Sequence, residues 1–196
     1  MRVAVLGGTF DPIHNGHIEV AEIALEQLEV DKVLFVPAGQ QPFKEKSTLA
    51  KDRFLMILLT LRGHERMKVS RVEIDRPGKS YTVDTLDILA ESYPDPILII
   101  GADKLPEISR WRNSEKLIRT YEIALVPRKS YNIDDELVKK LQELGARITI
   151  LTKEPVELSS TNIREKVSKG KDVSNLLHPL VNTYVNEKPI YKEMVT

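Results

Sequence analysis

Six short apolar runs punctuate this chain, and the segments between them repeat with helical period; that alternation restricts the fold more than any other feature. The runs are VAVLG (3–7), KVLFVP (32–37), MKVSRVEI (67–74), ILIIG (97–101), EIALVP (122–127) and RITILT (147–152). Most are continuous rather than alternating, the pattern of strands covered on both faces. Between them, residues 18–29 set Val20, Ala21, Ala24, Leu25 and Leu28 on one helical stripe, similar patterns occupy 52–62, 83–93 and 134–144, and a last helical stretch spans 160–187. Strand and helix in succession predict an α/β fold, a doubly wound parallel sheet with right-handed crossovers. The 196 residues suffice for one domain over 1–188, with 189–196 expected to be a loosely held tail.

Composition removes several classes of function. No apolar run approaches the roughly 18 residues of a membrane span. With no cysteine there is neither disulfide nor thiolate metal site. The start MRVAVLGG enters a strand without the apolar stretch of a secretory signal, so a cytoplasmic location is expected. Lys+Arg and Asp+Glu are both 29, which argues against a dedicated nucleic-acid or membrane-surface partner. A homo-oligomer is compatible with the sequence, which does not separate an interface from an ordinary helix face.

In such folds ligands sit beyond the C-terminal ends of the strands. That rule selects GGTFDPIHNGH (7–17), PAGQQPFKEK, GADKLPEISRW and PRKSYN, with LSSTNIREK at the start of the last helical stretch. In the first of these, Gly7 and Gly8 let a ligand approach the backbone. A helix beginning near Gly16 offers free N–H groups and a positive dipole end to an anion. His14 and His17 can face one pocket across the turn, and imidazole N–H donors suit phosphate oxygens; Thr9 adds a hydroxyl. The string has neither the GxGxxG order of dinucleotide binders nor the GK[ST] ending of the ATPase loop. Taken singly, each residue is equally well a turn former or a cap; the coincidence of several anion-binding features is what carries the reading.

GGTFDPIHNGH resembles the GxFDPxHxGH form of the HxGH motif of the nucleotidyltransferase superfamily, and LSSTNIR (158–164) is similar to its second motif, [IL]SSTxIR. The resemblance implies a Rossmann-like nucleotidyltransferase fold and contact of His14 and His17 with ATP phosphates. It also implies that Ser159, Ser160, Thr161 and Arg164 grip the β and γ phosphates, with Gly7, Gly8, Thr9, Phe10, Gly101 and Asp103 completing the ATP site. Alone, SST before a helix is an ordinary N-cap, and Arg164 lies one turn inside with its planar fork of donors. A phosphate monoester attacking the α-phosphorus is already ionised, since its second pKa is about 6, so no general base is required. Catalysis is then positioning and electrostatics, and no acid–base dyad is evident. Nor is there an obvious carboxylate cluster for a metal, so Mg²⁺ is expected to arrive on the ATP triphosphate.

Three further stretches, RPGKSYTVDTL (76–86), IGADKLPEISRW (100–111) and QQPFKEK (40–46), resemble the bacterial nicotinate-nucleotide adenylyltransferases and spread the likeness over nearly the whole chain. They imply an adenylyltransferase that condenses ATP with nicotinate mononucleotide to deamido-NAD and pyrophosphate. A helix beginning around Thr82 offers N–H groups and a hydroxyl to a carboxylate. Trp111, the only tryptophan, can stack on a pyridine ring or pack half-buried. Asp103 either accepts ribose hydroxyls or caps the next segment. Lys44 stands at the basic position of the family's PPHK-like loop, where it would neutralise transition-state charge, although Phe43 replaces the usual histidine. Arg128, in VPRKSY rather than the common V-x-RPGY, is assigned to the mononucleotide phosphate.

The alternatives are an adenylyltransferase for nicotinamide mononucleotide or phosphopantetheine, and a module that senses ATP without turnover. A class I aminoacyl-tRNA synthetase shares a similar first motif, but no KMSKS-type string is present. His64 and His178 read as surface and turn residues, Asp11 as a turn former rather than a metal ligand, and DRPGK (75–79) as a charged turn.

Overall fold

The computed structural model describes residues 1–39, 48–188 and 190–191. Six strands, β1 (Val3–Gly8), β2 (Lys32–Pro37), β3 (Met67–Val69), β4 (Ile97–Gly101), β5 (Glu122–Val126) and β6 (Arg147–Ile150), form one sheet. Its order is β3-β2-β1-β4-β5-β6, and every pairing is parallel. Among the described residues the seven α-helices are α1 (Asn15–Gln27), α2 (Ala50–Thr60), α3 (Thr82–Ala90), α4 (Ser114–Thr120), α5 (Asp135–Glu143), α6 (Ser160–Ser168) and α7 (Pro179–Glu187). The expected doubly wound α/β architecture is what these residues adopt.

The continuous apolar runs follow from burial on both faces. Along β1, Ala4 and Leu6 pack with Ala21 and Ala24 of α1, Met56 and Ile57 of α2, Ile163 of α6 and Val181 of α7. Val3 and Val5 face the other way, toward Val83 and Leu86 of α3, Leu117 of α4 and Val138 of α5. Strands β2, β4 and β5 divide in the same alternating way: Phe35, Ile99 and Ala124 on one side, Leu34, Leu98 and Ile123 on the other. Each interior strand therefore has no polar face to show in the sequence. None of the described helices is long and apolar enough to cross a membrane.

Several boundaries differ from expectation at the sheet edges. The strand expected over 67–74 stops at Val69, because β3 has a single neighbour and the chain turns away through Asp75 N–H to the Arg71 carbonyl. The run 147–152 leaves the sheet after Ile150, where the Thr152 N–H turns to the Gln27 side chain. The helix expected over 160–187 is two helices. Gly170 ends the first at φ +64°, with the Lys171 N–H returning to the Lys166 carbonyl. Pro179 opens the second, capped by His178, whose Nδ1 accepts from the Leu180 N–H at 3.3 Å. A 3-10 helix over Ala102–Arg110, together with α4, fills a stretch read as loop, and Leu105 and Ile108 are buried within it.

The tail expected to be loose from 189 is pinned at Tyr191, which is only 1% exposed and donates its hydroxyl to Asp11 Oδ1 at 2.8 Å. Residues 192–196 lie outside the described residues.

One buried charge organises the connections above β1 and β2. Arg53, on the inward stripe of α2 with Met56, Ile57 and Thr60, is 2% exposed. It donates to the carbonyls of Thr48 (3.0 Å), Thr9 (2.8 Å) and Ala38 (2.6 Å). Replacing Arg53 by Met should lower the urea-unfolding free energy by about 3 kcal/mol or more, because three acceptors lose their donor in a buried setting. An undiminished unfolding midpoint would show that water satisfies them.

Candidate active site

The sheet order reverses between β1 and β4, and their C-terminal ends define the crevice where an α/β fold binds ligands. Two cavities meet there. The larger, about 300 Å³, is walled by His14, Gly16, His17, Gly101, Lys104, Arg128 and the segment Pro155–Leu158, among others. The smaller, about 190 Å³, is walled by Gly8, Val36, Glu73, Ser80, Thr82, Thr85 and Leu86, among others. Gly7, Ile99, Ile100 and Trp111 belong to both walls, so the two are lobes of one cleft.

The first lobe is built by the turn after β1. Phe10 takes φ +51°, an unusual left-handed conformation for a residue with a side chain. Its ring lies in the core, 2% exposed and edge-on beneath His17 at a centroid distance of 4.9 Å. Phe10, expected at the ATP site, thus acts as the floor under an imidazole rather than as a wall of the cleft. His14 is the N-cap residue of α1 and His17 its third residue, and their rings stack at 3.7 Å and 19°. His17 Nδ1 accepts from the His14 N–H at 3.2 Å, which leaves the proton of the neutral ring on Nε2.

Burial, with the charge of Arg128 adding to it, lowers His14 from an ordinary 6.5 to about 4. His17 is lowered well below its ordinary value by burial first, then by His14 and Arg128. Both imidazoles are therefore neutral hydrogen-bond donors near pH 7.

Gly16 is where α1 meets the segment before α6: a Cβ there would stand 2.8 Å from the Val156 carbonyl oxygen. At Gly101 an added Cβ would run into the Asp103 carboxylate. Asp103 is ion-paired with Arg128, Oδ1 to Nε at 2.7 Å, so the two residues assigned to ribose and to phosphate hold one another at the rim.

The second motif comes back to the first, but by a different contact from the one expected. Arg164 Nη1 donates to the Asp11 carbonyl at 2.7 Å, and its Nη2 to Thr161 Oγ1 at 3.2 Å. Ser160 Oγ donates to the Pro12 carbonyl at 2.9 Å, while Ser159 caps α6 by accepting from the Asn162 N–H. None of these four is among the residues walling either lobe; Arg164 and Ser160 grip the turn that carries His14, while Thr161 steadies Arg164 and Ser159 caps α6. Gly7 and Gly8 end β1 at the cleft, and Thr9 follows with its carbonyl on Arg53. Lys44 and Phe43 lie outside the described residues.

The second lobe is walled by Thr82, the first residue of α3, and by Trp111. Arg112 lies over the Tyr81 ring at 4.5 Å and ties the Trp111 segment to the start of that helix. Sequence reasoning did not single out Glu73, Ser80 or Thr85. Thr85 donates to Glu73 Oε1 at 2.7 Å, and the Gly39 N–H reaches Oε2 at 3.4 Å, so the carboxylate in this lobe is already engaged. The SYTVDTL string held a signal for Thr85, since its helical spacing puts that residue beside Leu86 and Leu89 on the buried face. Glu73 had none, because it follows the strand's early end.

Two outcomes test this geometry. Because the unfolded chain protonates its histidines near 6.5 and the folded chain protonates His14 only near 4, stability is lost as pH falls from 6.5 toward 4. The loss is about 1.4 kcal/mol per pH unit for each such imidazole, and His14→Gln should flatten the slope of melting temperature against pH over that window. An unchanged slope would show His14 to be solvated. Gly16→Ala should lower the urea-unfolding free energy by about 1–3 kcal/mol through displacement of the 155–158 segment, because the facing atom is backbone and cannot swing aside; wild-type stability would contradict the close approach.

Residues 5–166 match the cytidylyltransferase-like family. A protein of Caldicellulosiruptor bescii named "Probable nicotinate-nucleotide adenylyltransferase" is 35% identical over 195 residues, covering 98% of this chain and all of the relative. One of the same name from Synechococcus sp. (strain JA-3-3Ab) is 37% identical over 195 residues, covering 97% of this chain and 94% of its own. The fold is shared with Plasmodium falciparum nicotinic acid mononucleotide adenylyltransferase complexed with NaAD, at a TM-score of 0.82 and 20% identity over 97% of each chain. The chain belongs to the cytidylyltransferase-like family of nucleotidyltransferases, among the nicotinate-nucleotide adenylyltransferases.

Proposed function

We propose that the protein transfers the adenylyl group of ATP to nicotinate mononucleotide, giving deamido-NAD and pyrophosphate. The observation that carries this reading is the two-lobed cleft astride β1 and β4. One lobe has stacked neutral imidazoles and the start of α1, the other has the start of α3 and Trp111, and both share Gly7. Two phosphorylated reactants laid in the lobes would meet over that glycine, where no side chain intervenes. The names of relatives 35–37% identical support the same pair of substrates.

In this reading the triphosphate lies along His14, His17 and the start of α1, with Mg²⁺ arriving on it. The ionised phosphate of the mononucleotide attacks the α-phosphorus. A bond forms from the attacking oxygen to phosphorus, the bond to the β-bridging oxygen breaks, and pyrophosphate departs with the electron pair. The Nε2–H groups of the imidazoles donate to oxygens whose charge rises in the transition state. Neutral rings suit this task, because a buried imidazolium would carry a desolvation penalty before any ligand arrived. Ser160 and Arg164 hold the turn, with Thr161 steadying Arg164 and Ser159 capping the helix that carries them. Lys44 would neutralise phosphate charge from the 40–47 segment. The nicotinate ring would stack on Trp111 and its carboxylate would meet the first N–H groups of α3 and Thr82, while Asp103 and Arg128 face ribose and phosphate at the rim.

Pyrophosphate release with Mg-ATP and the acid mononucleotide, its amide and phosphopantetheine decides among the acceptors. The acid is expected to be preferred; a preference for the amide would overturn the carboxylate argument, and no pyrophosphate with any acceptor would favour an ATP-sensing module. His17→Ala should lower turnover by about 100-fold, the cost of one transition-state donor, while melting temperature falls by only about 5 °C. Equal loss of stability and activity would mark His17 as structural.

A further inference from the structure

Asp11 is the point at which distant parts of the chain converge. It is 4% exposed, in the middle of the turn between β1 and α1. Its carbonyl accepts from Arg164, its Oδ2 accepts from the Thr48 N–H at 3.1 Å, and its Oδ1 accepts from the Tyr191 hydroxyl at 2.8 Å. Tyr191 lies beyond the 5–166 segment that matches the family, and no motif in the sequence pointed to it. Its ring is buried in the core cluster with Ile13, Ile163 and Val185. The preceding helix is anchored for the purpose: Val181 and Val185 are buried, and Tyr184 donates to Asp52 of α2 at 2.6 Å.

We infer that Tyr191 is a positioning residue for the adenylyl-transfer site, holding the Asp11 carboxylate so that the turn presents His14 and His17 to the triphosphate. A ring needed only as core filling would have no use for its hydroxyl. Here the hydroxyl is aimed at a buried carboxylate, and burial together with Asp11 raises its pKa, so it stays protonated and donating at any working pH. Without that donor Oδ1 is left unsatisfied in a dry setting. The carboxylate then rotates or draws in water, and the Asp11–Pro12 backbone three residues before His14 moves with it. Small displacements of that kind cost rate where catalysis is positioning.

The rate readout rests on the adenylyl-transfer reading; the binding readout does not. The test is Tyr191→Phe, which keeps the ring's volume, compared with wild type in kcat, acceptor KM, Mg-ATP affinity by calorimetry and melting temperature. Expected are a fall in kcat of about tenfold and weakening of Mg-ATP of about fivefold, with acceptor KM within about twofold. Combined with Asp11→Ala, which removes the acceptor of the Tyr191 hydroxyl, the phenylalanine should add no further loss, because both changes break that one contact. Wild-type kcat and Mg-ATP affinity in Tyr191→Phe, whatever the melting temperature, would overturn the proposal, as would losses that multiply in the double variant. If wild type releases no pyrophosphate with any acceptor, it is the function reading that fails, and the Mg-ATP comparison still decides the role of Tyr191.

Discussion

The cleft depends on how the carbonyl groups of the turn after β1 are satisfied. Thr9, Asp11 and Pro12 each give their carbonyl to a donor from elsewhere in the chain: Arg53 of α2, Arg164 of α6 and Ser160 of α6. A turn this short and this buried cannot satisfy its own acceptors through regular structure. Donors therefore have to be imported, and importing them from both halves of the chain is what closes the domain around the site. Two of the three are guanidiniums, so the contacts that fix this backbone are charge-assisted. Magnitude separates this hub from the ion pairs at the opposite end of the sheet, where Arg2 and Arg147 share the half-exposed Asp95. Exposed pairs of that kind contribute roughly 0–1 kcal/mol, whereas an orphaned buried acceptor costs several times as much.

The electrostatics of the site follow from the same enclosure. Burial disfavours charge on both histidines, which stack 3.7 Å apart, and His14 further disfavours it on His17, so both rest neutral. The His14 N–H fixes the tautomer of His17. The pair is thus a preorganised donor surface rather than a charged one, and the arrival of a polyanion changes the field around it without first having to displace a resident proton.

Much of the fold was legible in the sequence because burial on both faces of β1, β2, β4 and β5 left uninterrupted apolar runs. The edges were not: β3 and β6 have one neighbour each, and where a strand stops there is decided by side-chain and turn contacts such as Gln27 to Thr152, which no periodicity records. The break between α6 and α7 was signalled by Gly170 and Pro179 in the string SKGKDVSNLLHP, and a closer reading of those two residues would have separated the helices. The structure does bring the two motifs together, through Ser160 to Pro12 and Arg164 to Asp11. What spacing could not reveal was the mode of contact, since an arginine one turn into a helix looks the same whether it meets a phosphate or a carbonyl. Arg53 had a signal in its place on the apolar stripe of α2, where a charge needs a buried partner. Tyr191 had none.

The most direct measurement is a crystal structure of the protein with Mg²⁺ and a non-hydrolysable ATP analogue. The account predicts a triphosphate within hydrogen-bond distance of Nε2 of both His14 and His17, with Arg164 still donating to the Asp11 carbonyl. A triphosphate bound away from the imidazoles, or an Arg164 that has left the turn while the imidazoles keep their places, would contradict it.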